Sequence, residues 1–538
     1  MKKIVKILLA VCMAITAIVP LTGCADEWVG EQVDGDRTQI YVGLYEGGWG
    51  RDWLDEAKAE FEKIYPEYQI MISSQKDQYR YDQLVNNIAN DYIDVYITEC
   101  SYNVYTDKKF LLDITDAVTG AMPEAFNDSK TIESKIDDQH KNFYNRNGKY
   151  YAVPFGSSIW GLNYDVDLFE EKQLYMGKNG GFVGVNPVTG EWTGERTLGR
   201  DGVANTYDDG TPVTWDEFKS LLAEMRRKSV MPFIFSDISG YRKNIWSSMI
   251  ADYLGKDKFR ELIVNLSGDA TYNGSTEHVT PEKGYLAAMT DAKAATVTFA
   301  KEIVDGKYYD SRSGNGNISF TQAQDYYLES KLSASTDVDR QRIAFILDGG
   351  HWYNESKAYN QELVNNNYPE YRQSGRRFSV MPFPKAAGHS SDKASYLESS
   401  YEFAMFANAN TDQPEGAKKF IQFLNCDSML KVSTIRSGIC RTARCELTDA
   451  EKAEMPYYYR VINEIATSDK TEIVSPLTTL PYFTEHPERR KLEDWLFFGV
   501  HGGKEVDEPI RTFMNNPSLT VDDCMQATKE YYSVEGRW

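Results

Sequence analysis

The chain has 538 residues, 41% of them hydrophobic, which is enough to build two or three domains. Its 80 acidic and 59 basic residues give a formal net charge of −21, which argues against nucleic acids and other polyanions as partners. The seven cysteines are irregularly spaced, with no histidine at a zinc-site distance, so we expect mostly buried thiols and no disulfide framework.

The N-terminus is typical of an export signal. Three lysines precede an apolar run at residues 7–19, which is too short to span a membrane as a mature helix. The segment that follows, Leu-Thr-Gly-Cys, resembles a bacterial lipobox, which implies a lipid on Cys24. We therefore expect a signal peptide at 1–23, a polar tether at 24–37 and a protein held outside the cytoplasm by its lipid. A plain secretory signal is the alternative.

The next hundred residues alternate between two kinds of periodicity. Strands are predicted at 39–45, 69–73 and 94–98, separated by helices near 54–64 and 79–89. In the first helix Leu54, Ala57, Phe61 and Ile64 form one apolar stripe. This order predicts a parallel sheet covered by helices, and hence an α/β fold.

Ligands of such sheets bind at the carboxyl ends of the strands. The candidate binding residues at those ends are Glu46, Trp49, Glu99, Ser101 and Tyr102. Trp49 stands between glycines, so its ring is free either to form a flat platform for a sugar or to fold back onto the following helix.

The stretch at 144–174 indicates a passage between two lobes. A turn at 145–148 leads into a strand at 150–155, the small residues 156–158, a second strand at 159–164 and a helix from Asp167. Ser157 and Trp160 would then face a ligand at the hinge. An ordinary buried hairpin is the alternative.

This stretch resembles the signature of extracellular solute-binding proteins, the capture components of ABC-type carbohydrate importers. Four further segments resemble that family in the same order along the chain: TPVTWDEF at 211–218, IAFILDGGHW at 343–352, FSVMPFP at 378–384 and PEGAKKFIQFL at 414–424. The resemblance implies a two-lobed, periplasmic-binding-protein-like α/β fold, in which each lobe is a helix-flanked sheet and hinge strands join them.

On this basis we expect four blocks after the tether. They are a first lobe at 38–155, a second lobe at 156–325 with an insertion at 178–212, a return to the first lobe at 326–395, and a return to the second lobe with C-terminal helices at 396–538. The crossings would lie near 154–158 and 396–403.

The resemblance also implies aromatic ligand contacts from the second lobe. The candidates are Tyr241, Trp246, Trp352 and Tyr401, with Glu398 near the cleft. Trp246 could equally be a core residue of an amphipathic helix. We expect His351 to be a hydrogen-bonded polar residue and not a catalytic base.

The insertion at 178–212 is rich in glycine and aspartate. Asp201, Asn205, Asp208 and Asp209 offer oxygen ligands for a structural Ca²⁺, although the spacing does not fit an EF-hand. Acidic turns without a metal are the alternative. No other cofactor is expected.

The resemblance implies a monomeric binding protein that delivers a carbohydrate to ABC permease subunits. Several glycine-flanked tryptophans and an aromatic content of 13% favour an oligosaccharide. Three alternatives stay open: a surface glycan-binding protein without transport, a peptide- or ion-binding relative, and a secreted glycoside hydrolase using carboxylates such as Glu46, Glu99 and Glu398. No nucleophile elbow, metallohydrolase helix or phosphate loop is present, so we expect no catalysis.

Overall fold

The structure is a computed structural model that describes residues 32–538, apart from 75–83, 85, 101, 315–316, 337–340, 373–374, 387–391 and 399–402. The predicted signal peptide at 1–23, Cys24, Ser101 and Tyr401 lie outside the described residues, as does most of the predicted helix at 79–89 and of the tether at 24–37.

The first sheet has five strands, and the three predicted strands of the first lobe form its parallel half. Thr38–Leu44 pairs in parallel with Tyr68–Ser73 on one side and with Val95–Glu99 on the other. Phe403–Ala407 follows as an antiparallel neighbour of Val95–Glu99, and Val153–Pro154 closes the sheet beyond it. The predicted parallel, helix-covered sheet is therefore confirmed.

The second sheet has four strands, in the order Val230–Ile234, Arg342–Ile346, Leu162–Asp165 and Phe378–Met381. The first two are parallel, and Leu162–Asp165 runs antiparallel to both of its neighbours. Two strands that we assigned to the first lobe, within 326–395, thus belong to the second. Conversely, Phe403–Ala407 belongs to the first lobe. The assignment was wrong because local patterns specify a strand but not its distant partner.

The chain segments that cross between the lobes pair with each other as short two-stranded sheets. Ala394–Leu397 pairs in parallel with Thr471–Val474. Cys440–Arg441 pairs with Gly156–Ser157, which marks a third passage between the lobes that the sequence did not predict. Among the described residues, the chain therefore passes through the hinge at least three times.

The remaining short strands are Asn145–Arg146, Lys149–Tyr150, Tyr175–Met176, Phe182–Val183, Asp269–Tyr272, Ser275–His278, Gly499–His501 and Lys504–Val506. The α-helices are Asp52–Ile64, Tyr102–Asp107, Thr115–Thr119, Ile132–Lys135, Asp138–Tyr144, Val166–Glu171, Trp215–Arg227, Ser239–Phe259, Asp291–Asp305, Phe320–Thr336, Trp352–Glu355, Lys357–Asn365, Pro414–Leu424, Asp427–Ser437, Asp449–Glu454, Tyr457–Thr467, Pro481–Glu485, Leu492–Phe497, Pro509–Asn515 and Val521–Tyr532. No helix within the described ranges has the length and apolarity to cross a bilayer.

Local sequence signals explain where several helices begin and which face they bury. Thr214 and Glu217 form a complete capping box at the start of Trp215–Arg227. The helix Pro414–Leu424 buries Ala417, Phe420 and Ile421. The helix Asp52–Ile64 buries Leu54, Ala57 and Phe61 of its predicted stripe. The five cysteines in the described part of the chain are free, and four of them are buried, as predicted.

The C-terminal region packs on the second lobe through a buried ion pair. Glu508 is fully buried and accepts hydrogen bonds from Arg242 Nε at 3.0 Å and Trp246 Nε1 at 2.6 Å. It also caps the helix Pro509–Asn515 by accepting from two backbone N–H groups. One carboxylate thus links the C-terminal helices to the start of the long helix Ser239–Phe259.

Candidate functional site

The two lobes meet where strand ends of the two sheets face each other. The loop after Thr38–Leu44 touches the loop after Arg342–Ile346, and a Cβ atom on Gly48 would clash with His351. Only glycine at position 48 allows the two loops to approach each other this closely. These loops define the candidate site, which we call the interlobe cleft.

Three ring side chains of the second lobe form a cluster at this cleft. The His351 ring centroid lies 5.3 Å from that of Trp160 and 5.8 Å from that of Tyr241, while the Trp160 and Tyr241 centroids are 6.1 Å apart. Tyr241 also stacks on Phe320, with a centroid separation of 5.2 Å and an interplanar angle of 12°. The predicted residues Trp160 and Tyr241 are therefore brought together.

Trp160 is held firmly by its backbone. Its N–H donates to the carbonyl of Leu397 at 3.1 Å, and its own carbonyl accepts from Ser248 Oγ at 2.6 Å. The side chain is only 3% exposed, and Nε1 has no hydrogen-bond partner among the described residues. A buried N–H of this kind is an available donor for an incoming acceptor.

The first lobe contributes Trp49 and two acidic residues at the same edge. Trp49 is 9% exposed and packs edge-on against Phe403, with ring centroids 5.8 Å apart. Glu46 precedes it in the loop, and Glu99 ends the neighbouring strand opposite Phe403. The structure thus places Glu46, Trp49 and Glu99 at the same edge of the first sheet, with Trp49 packed against Phe403.

Three predicted ligand contacts are core residues instead. Tyr102 is fully buried and donates through its hydroxyl to the carbonyl of Tyr144 at 2.5 Å, and burial raises its pKa. Trp246 is fully buried against Glu508. Trp352 is also fully buried, within 5.0 Å of Phe378 between ring centroids. These three predictions were wrong because apolar neighbours cover the rings.

At two positions of this region, the residue that contacts the ring cluster is the immediate neighbour of the predicted one. His351, and not Trp352, joins the cleft cluster, because the helix that begins at Trp352 turns its ring into the core. Ser158, the neighbour of the predicted Ser157, contacts the cluster: its Oγ accepts from the backbone N–H of His351 at 3.0 Å.

Beneath His351 lies a polar group that the sequence analysis did not identify. Its Nε2 is 3.5 Å from Asp348 Oδ1 and 4.0 Å from Glu355 Oε2. Gln324 Nε2 is within hydrogen-bond distance of both carboxylates, at 3.0 and 2.8 Å. Burial, together with the neighbouring Glu355, raises the pKa of Asp348 well above its usual value. The spacing Asp-x₂-His-x₃-Glu was the available signal.

The acidic turn at 201–209 is folded around its own backbone. Asp208 is fully buried and accepts from the N–H groups of Arg200 and Asp201, and Asp209 accepts from that of Asn205. Burial and the charge of Asp201 raise the pKa of Asp208 to about 6. In the described chain these carboxylates do not form a group of three close enough to share an ion. The calcium prediction stays a prediction without support from the geometry.

A charged triad crosses the hinge away from the ring cluster. His140 lies between Asp137, with Nδ1 2.9 Å from Oδ2, and Glu398, with Nε2 3.0 Å from Oε1. Burial alone would lower the pKa of His140, but Glu398 and Asp137 outweigh it and raise that pKa to about 10. Beside the triad is a cavity of about 650 Å³. Glu398 therefore serves as a hinge ion-pair partner.

Sequence comparison places most of the chain within one family. A family model described as bacterial extracellular solute-binding protein matches residues 56–439. Comparison with curated proteins gives no significant match.

Solved structures share the fold over nearly the whole chain. The solute-binding protein RafE in complex with raffinose is 13% identical with a TM-score of 0.54, over 92% of this chain and 99% of that one; an apo form of RafE comes from Streptococcus pneumoniae. A probable secreted solute-binding lipoprotein from Streptomyces coelicolor is 11% identical with a TM-score of 0.56, over 93% and 100%. A chitin oligosaccharide binding protein is 14% identical with a TM-score of 0.51, over 93% and 100%. At these identities the likeness establishes the fold.

Proposed function

Since the chain belongs to the bacterial extracellular solute-binding protein family, we propose that it captures an oligosaccharide in the interlobe cleft and delivers it to an ABC importer. The observation that carries this proposal is the ring cluster of Trp160, Tyr241 and His351, which faces the loop of Trp49 on the other lobe. Flat aromatic faces pack against the C–H faces of sugar rings, and nearby polar groups bind hydroxyls.

The choice of an oligosaccharide rests on the number and placement of the rings. Aromatic side chains reach the cleft from both lobes, so a ligand long enough to touch each lobe gains the most contact. Two proteins of the same fold are described with such ligands, raffinose in one case and a chitin oligosaccharide in the other. These names support the proposal by analogy of fold alone.

The hinge provides the motion that such capture needs. At least three chain passages join the lobes, and His140 links a helix of the first lobe to the passage that contains Glu398. A ligand stabilises the closed arrangement only through contacts that differ between the open and closed states. Contacts from both lobes meet that condition.

We further propose that the mature chain starts at a lipid-modified Cys24 and acts as a monomer outside the cytoplasm. The lysine-rich start, the apolar run and the Leu-Thr-Gly-Cys segment support this, as does the extracellular character of the family. Mass spectrometry of the membrane-extracted protein should show acyl chains on Cys24, and replacing Cys24 with serine should release the protein from the membrane.

Replacing Tyr241 with alanine is expected to weaken oligosaccharide binding about three- to tenfold, because one stacking face is removed. The measurement is quenching of intrinsic tryptophan fluorescence by raffinose and chitin oligosaccharides. Tyr272→Ala is the matched control, since Tyr272 is also partly buried but lies on a distant hairpin of the same lobe. Equal affinity in the wild type and the Tyr241 variant would contradict this placement of the ligand.

A further inference from the structure

We infer that Asp348, His351 and Glu355 form a binding site for a divalent transition-metal ion of the zinc type at the wall of the interlobe cleft. The inference goes beyond sugar capture and does not depend on it. One ligand atom from each residue lies within 4.8 Å of the other two, and no other such trio of His, Cys, Asp or Glu occurs in the part of the chain that the structure describes.

The local fold brings the three side chains together over eight residues. Asp348 follows the strand Arg342–Ile346, and His351 stands immediately before the helix Trp352–Glu355. His351 and Glu355 are four positions apart, a spacing that sets two side chains on the same side of a helical turn. A cation bound here would therefore be chelated by one short segment that is already ordered.

The distances between the three ligand atoms suit direct coordination of one metal ion. A zinc ion lies about 2.0–2.2 Å from each nitrogen or oxygen ligand, so neighbouring ligands of a tetrahedron are about 3.4 Å apart. His351 Nε2 is 3.5 Å from Asp348 Oδ1 and 4.0 Å from Glu355 Oε2. Only small side-chain shifts would bring all three atoms to bonding distance of one ion.

The imidazole is held so that Nε2 faces the carboxylates. A Cβ atom on Gly349 would lie 2.5 Å from His351 Cε1 and 2.7 Å from Nδ1, so glycine is needed for the backbone to pack on this edge of the ring. The rings of Trp160 and Tyr241 cover other parts of the imidazole. Such packing fixes a metal ligand in advance.

The charge balance at the trio calls for a cation. The side chains of Asp348 and Glu355 are only 3% and 9% exposed. The amide of Gln324 is their common donor, and the ion-pair partner that both carboxylates share in the described chain is His351, which is charged only when protonated. Two buried carboxylates side by side are costly unless a positive charge compensates them. A divalent ion would compensate both.

The indole that packs on His351 also carries an unsatisfied polar group. Trp160 packs on His351, is 3% exposed and has an indole N–H without a hydrogen-bond partner among the described residues. Buried donors in folded proteins normally have an acceptor, which can be a water or another bound group.

The class of metal follows from the ligand atoms. One imidazole nitrogen with two carboxylate oxygens suits zinc-type ions, whereas Ca²⁺ and Mg²⁺ prefer oxygen ligands alone.

The test is a titration of the tag-free mature chain with zinc chloride after exhaustive dialysis against a chelator. We expect saturable binding of one ion, and Co²⁺ in the same site should give the visible absorption of a low-symmetry, non-octahedral complex. His351→Ala and Glu355→Gln should each weaken Zn²⁺ binding at least about tenfold. Glu355→Gln keeps the shape of the side chain, so it separates loss of a ligand from loss of folding.

His278→Ala is the matched control, because His278 forms an exposed pair with Asp269 at 2.8 Å on a distant hairpin. It should bind Zn²⁺ as the wild type does. The inference is overturned if the wild type shows no saturable binding, which would mean that a proton alone compensates the carboxylates, or if both site variants bind as tightly as the wild type. No sugar is present in this titration, so its failure would leave the proposed function untouched.

Discussion

Replacing His140 with glutamine is expected to lower the free energy of unfolding by about 3–5 kcal/mol, because Glu398 then stays buried at the hinge without its cationic partner. The imidazole of His140 contacts Asp137 and Glu398 at 2.9 and 3.0 Å, and the Glu398 side chain is only 6% exposed. Equilibrium denaturation in urea at pH 7 measures the loss. His278→Gln is the control, since its partner Asp269 is 62% exposed and the pair should contribute little.

The same histidine predicts a dependence of stability on pH. The pKa of His140 is about 10 in the folded chain and 6.5 in its ordinary state, so the folded protein binds the proton more tightly. Its stabilising contribution is complete below pH 6.5 and disappears as the pH rises through 10. The difference in stability between the wild type and His140→Gln should therefore shrink from pH 7 to pH 10. A difference that stays constant over this range would contradict the charged triad.

Replacing Glu508 with alanine is expected to cost about 3–5 kcal/mol as well, because Arg242 would be left buried with no carboxylate. The Trp246 N–H and the N-cap of Pro509–Asn515 lose their acceptor at the same time. Glu508→Gln should cost less, since an amide oxygen can still accept from Trp246. Glu505→Ala, on an exposed strand position nearby, is the control.

The position of Glu508 also predicts a functional effect at a distance. Arg242 directly follows Tyr241 in the first turn of Ser239–Phe259, so a loose helix start would displace a ring of the cleft cluster. Denaturation curves report the loss of stability, and ligand affinity measured below the unfolding transition reports the displacement. Unchanged stability in Glu508→Ala would refute the role of this buried pair.

Local signals in the sequence were sufficient to predict individual helices and strands. The three parallel strands of the first lobe and the apolar stripe of Asp52–Ile64 appear as predicted, and the capping box at Thr214 and Glu217 is equally local. Each depends on neighbours within a few residues or on a short repeat of strands and helices. Such features are set by backbone propensity and by the burial of one face.

The assignment of the later strands to lobes depended on contacts that sequence patterns do not encode. Arg342–Ile346 pairs with Leu162–Asp165, and Phe403–Ala407 pairs with Val95–Glu99, each across more than a hundred residues of chain. Which side chain reaches the cleft also changes from one residue to the next along the chain. His351 and Trp352 are adjacent, yet one contacts the ring cluster and the other is fully buried. Tryptophans beside glycines were therefore good markers of the region and poor markers of the individual side chain.

The most direct test of the central proposal is isothermal titration of the mature, unlipidated protein with oligosaccharides of graded length, followed by analysis of each glycan for cleavage. We expect one-to-one binding, an affinity that increases from mono- to oligosaccharide, and a glycan recovered intact. Turnover of the glycan would contradict the binding-protein account and direct attention to the carboxylates Glu46 and Glu99. Equal affinity for monosaccharide and oligosaccharide, or no binding across the series, would contradict the proposed ligand class.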